Sequence, residues 1–247
     1  MRRYRTYLAG DWAKGERHTL DESESTHLAR VLRAQPGTEV EVYNGRGLSG
    51  TAVLENVSKK TVTLCIQSQQ HHTVAPAFAL AVPLIKSPLF DDALEHCLEL
   101  GLASFTPLQS ERGVVRLDDA RQKSRVEKWN RLFRERLKQC ERFWEPAIEP
   151  FTTLEQFLEN PPPAFCPVIL AERDNEAESI DAVLKKLSAP PVFVIGPEGG
   201  WSEFERELFA KKAVYRIALP LTILRTETAM IAAASAAALF AGKQATI

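Results

Sequence analysis

Three glycines within five residues, Gly196, Gly199 and Gly200, stand between an apolar run, Val192–Ile195, and a helix-like stretch that begins after Ser202. Glycine at a strand end permits positive φ and lets a ligand approach bare backbone. Ser202 followed by Glu205 has the spacing of a capping box, which specifies the helix start. Such a loop serves as a tight strand-to-helix connection, as an anion cradle on a helix N-terminus, or as the wall of another ligand's pocket. This one lacks the Lys-Ser/Thr ending of a phosphate-binding loop, and Glu198 stands where an anion would be repelled. A cationic small ligand suits that carboxylate better.

A second loop has the same place relative to its elements. The run from Leu219 to Thr228 follows a strand-like segment and enters an apolar, Ala-rich stretch. Arg225 and Glu227 lie among apolar residues at the mouth of that helix, where Thr226 is a candidate cap. The two charges form either a structural ion pair or a pair of groups for chemistry.

These loops need a frame to hold them. The chain has 247 residues, 45% hydrophobic and 26% charged, with net charge -1, which is ordinary for a soluble globular protein. Such a balance does not by itself announce a nucleic-acid binder. Cys65, Cys97, Cys140 and Cys166 form no CxxC pair, so no metal site and no disulfide framework is expected. The basic start is not followed by an apolar h-region, and the apolar run Ala229–Ala241 is shorter than the ~18 residues that span a bilayer. A cytoplasmic protein without a membrane partner is the expectation.

The first part of the chain is β-rich. Glu39–Tyr43, Gly50–Val57 and Thr61–Gln67 alternate, with Asn44-Gly45 as a tight turn and Glu22–Arg33 as a short helix. Several short strands in this length predict a small barrel. Beyond Thr73 the pattern changes. Strands at Phe78–Leu84, Ser104–Leu108, Val168–Ala171, Val192–Ile195 and Tyr215–Leu219 alternate with helices at Leu89–Leu100, Arg121–Arg142, Ala177–Leu187, Glu203–Lys212 and Glu227–Ala241. That alternation predicts an α/β domain with a parallel sheet, its ligand at the carboxyl ends of the strands. The expected domains are 1–73 and 74–247.

Ile195–Ser202 together with Ile223–Ala229 strongly resembles the SPOUT-class ribosomal RNA small subunit methyltransferase E family. Further elements match it in order: His27 with Val31-Leu32-Arg33, Lys86, Glu99-Leu100-Gly101, Pro107-Leu108 with Ser110-Glu111-Arg112, Lys128-Trp129, Gln139, Arg142 and Pro146. Departures are Ser87-Pro88-Leu89 where the family usually has Gly-Asp-Arg, His96 for a usual Lys, and Pro220 for a usual Gly. The resemblance implies a small N-terminal PUA-like β-barrel that binds RNA, and a SPOUT-type parallel-sheet domain tied in a trefoil knot. It also implies a homodimer, S-adenosylmethionine as methyl donor, and N3 of a uridine in 16S ribosomal RNA of the small subunit as target.

The resemblance further implies roles for single residues. Ile195, Gly196, Pro197, Glu198, Gly199, Gly200, Leu219, Leu224, Thr226 and Thr228 would hold the donor. Uracil N3 carries a weakly acidic imide proton, so Arg225 is assigned to stabilise the uracil anion, and Glu227 to orient Arg225 or take the proton. Between Arg112 and Arg142 eleven basic residues stand against five acidic ones, a local balance of +6. Arg112, Arg142, Arg2, Arg3, Arg5, Arg30 and Arg33 are the expected phosphate contacts. The alternatives are a SPOUT methyltransferase acting on another RNA and an RNA-binding assembly factor without catalysis.

Overall fold

The computed structural model describes residues 4–73, 77–171, 174–212, 214–219 and 222–244. Arg2, Arg3 and Pro220 lie outside them. The chain divides into two compact units, one of residues 1–75 with 134–145, the other of residues 76–133 with 146–247.

The first unit contains β1 (Tyr4–Tyr7), β2 (Arg17–Thr19), α1 (Glu22–Thr26), β3 (Glu39–Tyr43), β4 (Leu48–Val57), β5 (Val62–Ile66) and β6 (Gln70–His71). The sheet runs β1-β3-β4-β5-β2, with β6 beside β4. The predicted helix at Glu22–Arg33 is shorter than expected. Asp21 caps α1, which passes into a single π-helical turn, His27–Val31, and the chain leaves through Arg33 at φ 52. Arg30 and Arg33 are therefore displayed on the surface.

The second unit opens with β7 (Phe78–Pro83), α2 (Phe90–Glu99) and β8 (Leu102–Gln109). The long helix α3 (Asp119–Cys140) follows, and the division between the units falls within it. Next come β9 (Ala147–Ile148), β10 (Thr152–Thr153), α4 (Leu154–Glu159), β11 (Cys166–Leu170), β12 (Glu178–Ser179), α5 (Ile180–Lys186), β13 (Pro191–Val194), α6 (Glu203–Lys211), β14 (Tyr215–Ala218) and α7 (Thr226–Gln244). The sheet order is β10-β8-β7-β13-β11-β14-β12, with β9 on β8, and every pairing is parallel. All six residues of β7 are buried, as expected of a strand covered on both faces. Helix α7 buries Ala229, Met230, Ala233, Ala234 and Ala237, and packs on α2 and β7. Among the described residues no helix is long and apolar enough to cross a membrane.

Within the second unit α3 is anchored by Trp129, which is fully buried and lies edge-on to Phe105 at 5.1 Å. Its indole N–H donates to Asp91 Oδ1 at 2.9 Å, while Lys128 and Arg125 approach Asp91 Oδ2. Burial opposes ionisation of Asp91, but the hydrogen bonds from Lys128 and Trp129 outweigh it and hold the carboxyl below its usual range. A depressed carboxyl pKa adds stability above the unfolded value of about 4, and that stability is lost as pH falls through the folded value. Asp91→Asn is expected to cost about 1–3 kcal/mol at neutral pH. Denaturant unfolding should show the wild-type advantage shrinking towards pH 3; an advantage independent of pH would contradict it.

Candidate functional site

Strands β11, β13 and β14 are neighbours, and the two glycine- and threonine-bearing loops leave from the carboxyl ends of β13 and β14. Ile195 N–H donates to the Ala81 carbonyl at 3.0 Å, which extends the pairing with β7 to the lip of the loop. Gly200 then turns at φ 66, a conformation that other residues rarely adopt. The capping box forms as expected: Ser202 Oγ accepts from Glu205 N–H at 3.1 Å, and Ser202 N–H donates to Glu205 Oε2 at 2.8 Å. The other carboxylate oxygen of Glu205 accepts from Glu111 N–H at 3.0 Å, which ties the loop after β8 to the start of α6.

Trp201 is buried beneath this loop. Its N–H donates to the Leu170 carbonyl at the end of β11, 2.8 Å away, and its ring stands edge-on to Phe209 at 5.2 Å. Gly196 lies on the indole, so a Cβ there would come within 3.1 Å of the ring. The two loops meet directly, because Thr226 Oγ1 donates to the Gly196 carbonyl at 3.0 Å.

Between them is a cavity of about 630 Å³, within the range of small-ligand sites. Ile195, Gly196, Pro197, Glu198, Gly199, Gly200, Leu224 and Thr226 line it, whereas Leu219 and Thr228 do not. Thr228 instead faces solvent on the first turn of α7, and Leu219 is half-buried beyond β14. The lining also takes in Trp201, as well as Leu170, Ala171, Phe209 and Ala210, which no motif in the sequence marks. The end of β11 was legible as a ligand edge from the parallel-sheet rule alone. Asp174 and Glu176 line the cavity too, each paired with Arg216. The Glu176 hydrogen bond, ahead of the charge of Asp174, holds Arg216 above the ordinary guanidinium range.

Arg225 is exposed and Glu227 buried, and no ion pair joins them among the described residues. Glu227 Oε1 instead accepts from Ser87 Oγ at 3.2 Å, and Ser87 is one of the positions that departs from the family pattern. The second oxygen, Oε2, is buried without a hydrogen-bond partner. Arg112 is exposed at the cavity wall, where its guanidinium donates to the Gly199 carbonyl at 3.1 Å.

In the first unit Arg5 is buried. It donates to the Leu137 carbonyl at 2.8 Å and the Arg142 carbonyl at 3.4 Å, pairs with Glu41, and lies over the Tyr43 and Phe143 rings. Arg142 is half-buried, and burial lowers its pKa. Within the basic run Arg125 and Lys128 pair with Asp91, Arg134 with Glu145, and Lys138 with Glu24. Among the described residues no group of three or more His, Cys, Asp or Glu is placed to hold a metal ion.

The cavity fits a donor that is cationic at sulfur and carries an adenosine. Bare glycine backbone permits close approach, and Glu198 supplies a carboxylate at the wall, while Asp174 and Glu176 are paired with Arg216. Thr226→Val removes the bond between the loops. One hydrogen bond is worth about 1 kcal/mol, so calorimetry should show S-adenosylmethionine binding weakened about fivefold. An unchanged Kd would mean that the loops hold their places without it.

Comparison with known proteins agrees with this geometry. Residues 73–238 match the family model of an RNA methyltransferase domain, and residues 20–66 that of an RNA methyltransferase PUA domain. Ribosomal RNA small subunit methyltransferase E of Synechocystis is 30% identical over 92% of this chain and 74% of its own; that of Bacillus subtilis is 28% identical over 86% of each. A Legionella pneumophila methyltransferase solved with S-adenosylmethionine is similar over 97% of this chain and 98% of its own, with a TM-score of 0.86 and 28% identity. The Neisseria gonorrhoeae ribosomal RNA small subunit methyltransferase E bound to S-adenosylmethionine gives the same TM-score and identity over 95% and 96%. With a parallel α/β sheet, a cavity between two strand-end loops and these matches, the chain belongs to the ribosomal RNA small subunit methyltransferase E family.

Proposed function

We propose that this protein transfers a methyl group from S-adenosylmethionine to N3 of a uridine in 16S ribosomal RNA of the small subunit. The observation that carries the reading is the cavity joined by the Thr226–Gly196 bond; Arg225 and Glu227 flank Thr226 in sequence but are not among the residues that line it. Ile195, Gly196, Pro197, Glu198, Gly199, Gly200, Leu224 and Thr226 hold the donor, whereas Leu219 and Thr228, expected to share in this, stand outside the cavity lining. When bound, the donor supplies an electrophilic methyl group on a sulfonium. The chain contributes position and charge. Holding the acceptor nitrogen in line is worth a large share of the rate.

Arg225, free to reach into solvent, stabilises the uracil anion at O2 or O4. Glu227 receives the imide proton, held in orientation by Ser87. A carboxylate is a weak base for an imide, so the larger share of the effect falls to Arg225. Residues 1–73 serve as the PUA-like RNA-binding domain and residues 74–247 as the methyltransferase domain, a division that the two family matches support. Arg30, Arg33 and Arg112, all exposed, are the better placed of the expected RNA contacts. A trefoil knot in the second unit and a homodimer are part of this reading, as the family resemblance implies. The RNA substrate places the protein in the cytoplasm.

Labelled methyl transfer to 30S subunits, naked 16S RNA and tRNA, with mass mapping of the product, tests this reading. N3-methyluridine in 16S RNA is expected, and label confined to tRNA would overturn it. Arg225→Ala should lower kcat about 100-fold while the Kd for S-adenosylmethionine stays within about twofold. Ser87→Ala should lower kcat about fivefold, with recovery in Ser87→Thr. Lost donor binding in the Arg225 variant would contradict this division of roles.

A further inference from the structure

Trp144 is unlike the other tryptophans of this chain. Trp12, Trp129 and Trp201 are 4%, 0% and 5% exposed, whereas Trp144 is 36% exposed. A short antiparallel contact fixes it in place within the first unit. Gly47 N–H donates to the Phe143 carbonyl at 2.9 Å, Glu145 N–H donates to the Gly45 carbonyl at 2.8 Å, and Arg46 is bridge partner to Trp144. The turn that presents Arg46 is itself rigid: Asn44 Oδ1 accepts from Arg46 N–H at 2.8 Å and from Leu48 N–H at 3.1 Å. Gly47 permits the contact, since a Cβ there would fall 2.3 Å from the indole ring. The indole N–H is taken by the His72 carbonyl at 3.1 Å.

Directly opposed residues of an antiparallel pair project from the same side of it. Arg46 and Trp144 therefore stand side by side, a cation next to a flat apolar ring. The Arg46 side chain is exposed, and its guanidinium enters no ion pair or hydrogen bond among the described residues. No ring or cation is stacked on Trp144 among them either. The neighbouring carboxylate of Glu145 is paired with Arg134 at 3.3 Å and also feels the charge of Arg46.

We infer that Trp144 and Arg46 form a binding site for one unpaired nucleotide of RNA, the base stacked on the indole and the phosphate met by the guanidinium. An aromatic face next to a basic group is the arrangement by which proteins hold single-stranded nucleic acid, because every base offers a π-face and every linkage a negative charge. A duplex cannot use the ring, since its bases are already stacked on each other. The inference rests on the reading of RNA as substrate, and it adds a contact in the first unit outside the donor cavity. No bond is made or broken there.

The test uses the full chain, a single-stranded oligouridylate of about ten nucleotides, and a blunt-ended duplex of that strand with oligoadenylate. With three tryptophans buried, quenching of the accessible emission reports Trp144. The oligouridylate is expected to quench it saturably, and Trp144→Phe to abolish the quenching. Trp144→Leu should weaken binding about tenfold, and Arg46→Ala should lower the slope of log affinity against log salt by about 0.7. Affinity for S-adenosylmethionine and the thermal midpoint of Arg46→Ala should stay at wild-type values, which a structural role would not allow. Wild-type affinity and salt slope in both variants would overturn the inference, as would equal quenching by the duplex. Should Trp144→Leu fail to fold, quenching in the wild type and the salt slope of Arg46→Ala still decide it. Methyl transfer to ribosomal RNA that persists while Trp144 stays silent overturns this site alone and leaves the proposed function standing.

Discussion

Trp201 donates its indole N–H to the Leu170 carbonyl at the exit of β11, and Gly196 lies flat against the same ring. That contact fixes the loop after β13 to the neighbouring strand through a buried hydrogen bond, so the loop cannot lift without leaving two polar groups unpaired. The cavity inherits its shape from this point. The Gly196 carbonyl is aimed at Thr226, which brings the start of α7 against the loop. The capping box of Ser202 and Glu205 sets the direction of α6, whose Phe209 closes on Trp201 from behind. A parallel sheet gathers the strand ends, and one indole locks the connections that leave them.

The interior of α7 shows how the frame permits this. Its buried face is mostly alanine, which lets the helix lie close to α2 and β7. Close packing in turn places Glu227 below the surface, beside Ser87 from the loop after β7. The buried Glu227 oxygen without a hydrogen-bond partner is a local cost to stability. Serine where the family usually has glycine supplies Glu227 with one hydrogen bond and leaves the second oxygen open.

Much of this was legible in the sequence because it is local. The five principal strands follow from apolar runs, the start of α6 from Ser202 and Glu205, and both ligand loops from glycine and threonine at strand ends. What was not legible depends on distant partners. Arg5 is one of several arginines near the start of the chain, and only the fold reveals that it is spent on the Leu137 and Arg142 carbonyls. The basic run of α3 is likewise partly structural, because Asp91 and Glu24 come from far along the chain to meet it. Residues 134–145 belong to the first unit for the same reason. Arg112, read as a phosphate contact, stands on the cavity wall with its guanidinium on Gly199, a placement that no local pattern encodes. Short pieces such as β9, β10 and β12 carry too few residues to show any period.

The donor is proposed to lie between the loop of Gly196–Gly200 and the loop of Leu224–Thr226, over the indole of Trp201. A crystal structure of the protein grown with S-adenosylmethionine tests that most directly. The donor should lie in that cavity, with its adenosine against glycine backbone and the Thr226–Gly196 hydrogen bond intact. Density for the donor elsewhere on the chain, or a cavity that excludes it at saturating concentration, would contradict the account.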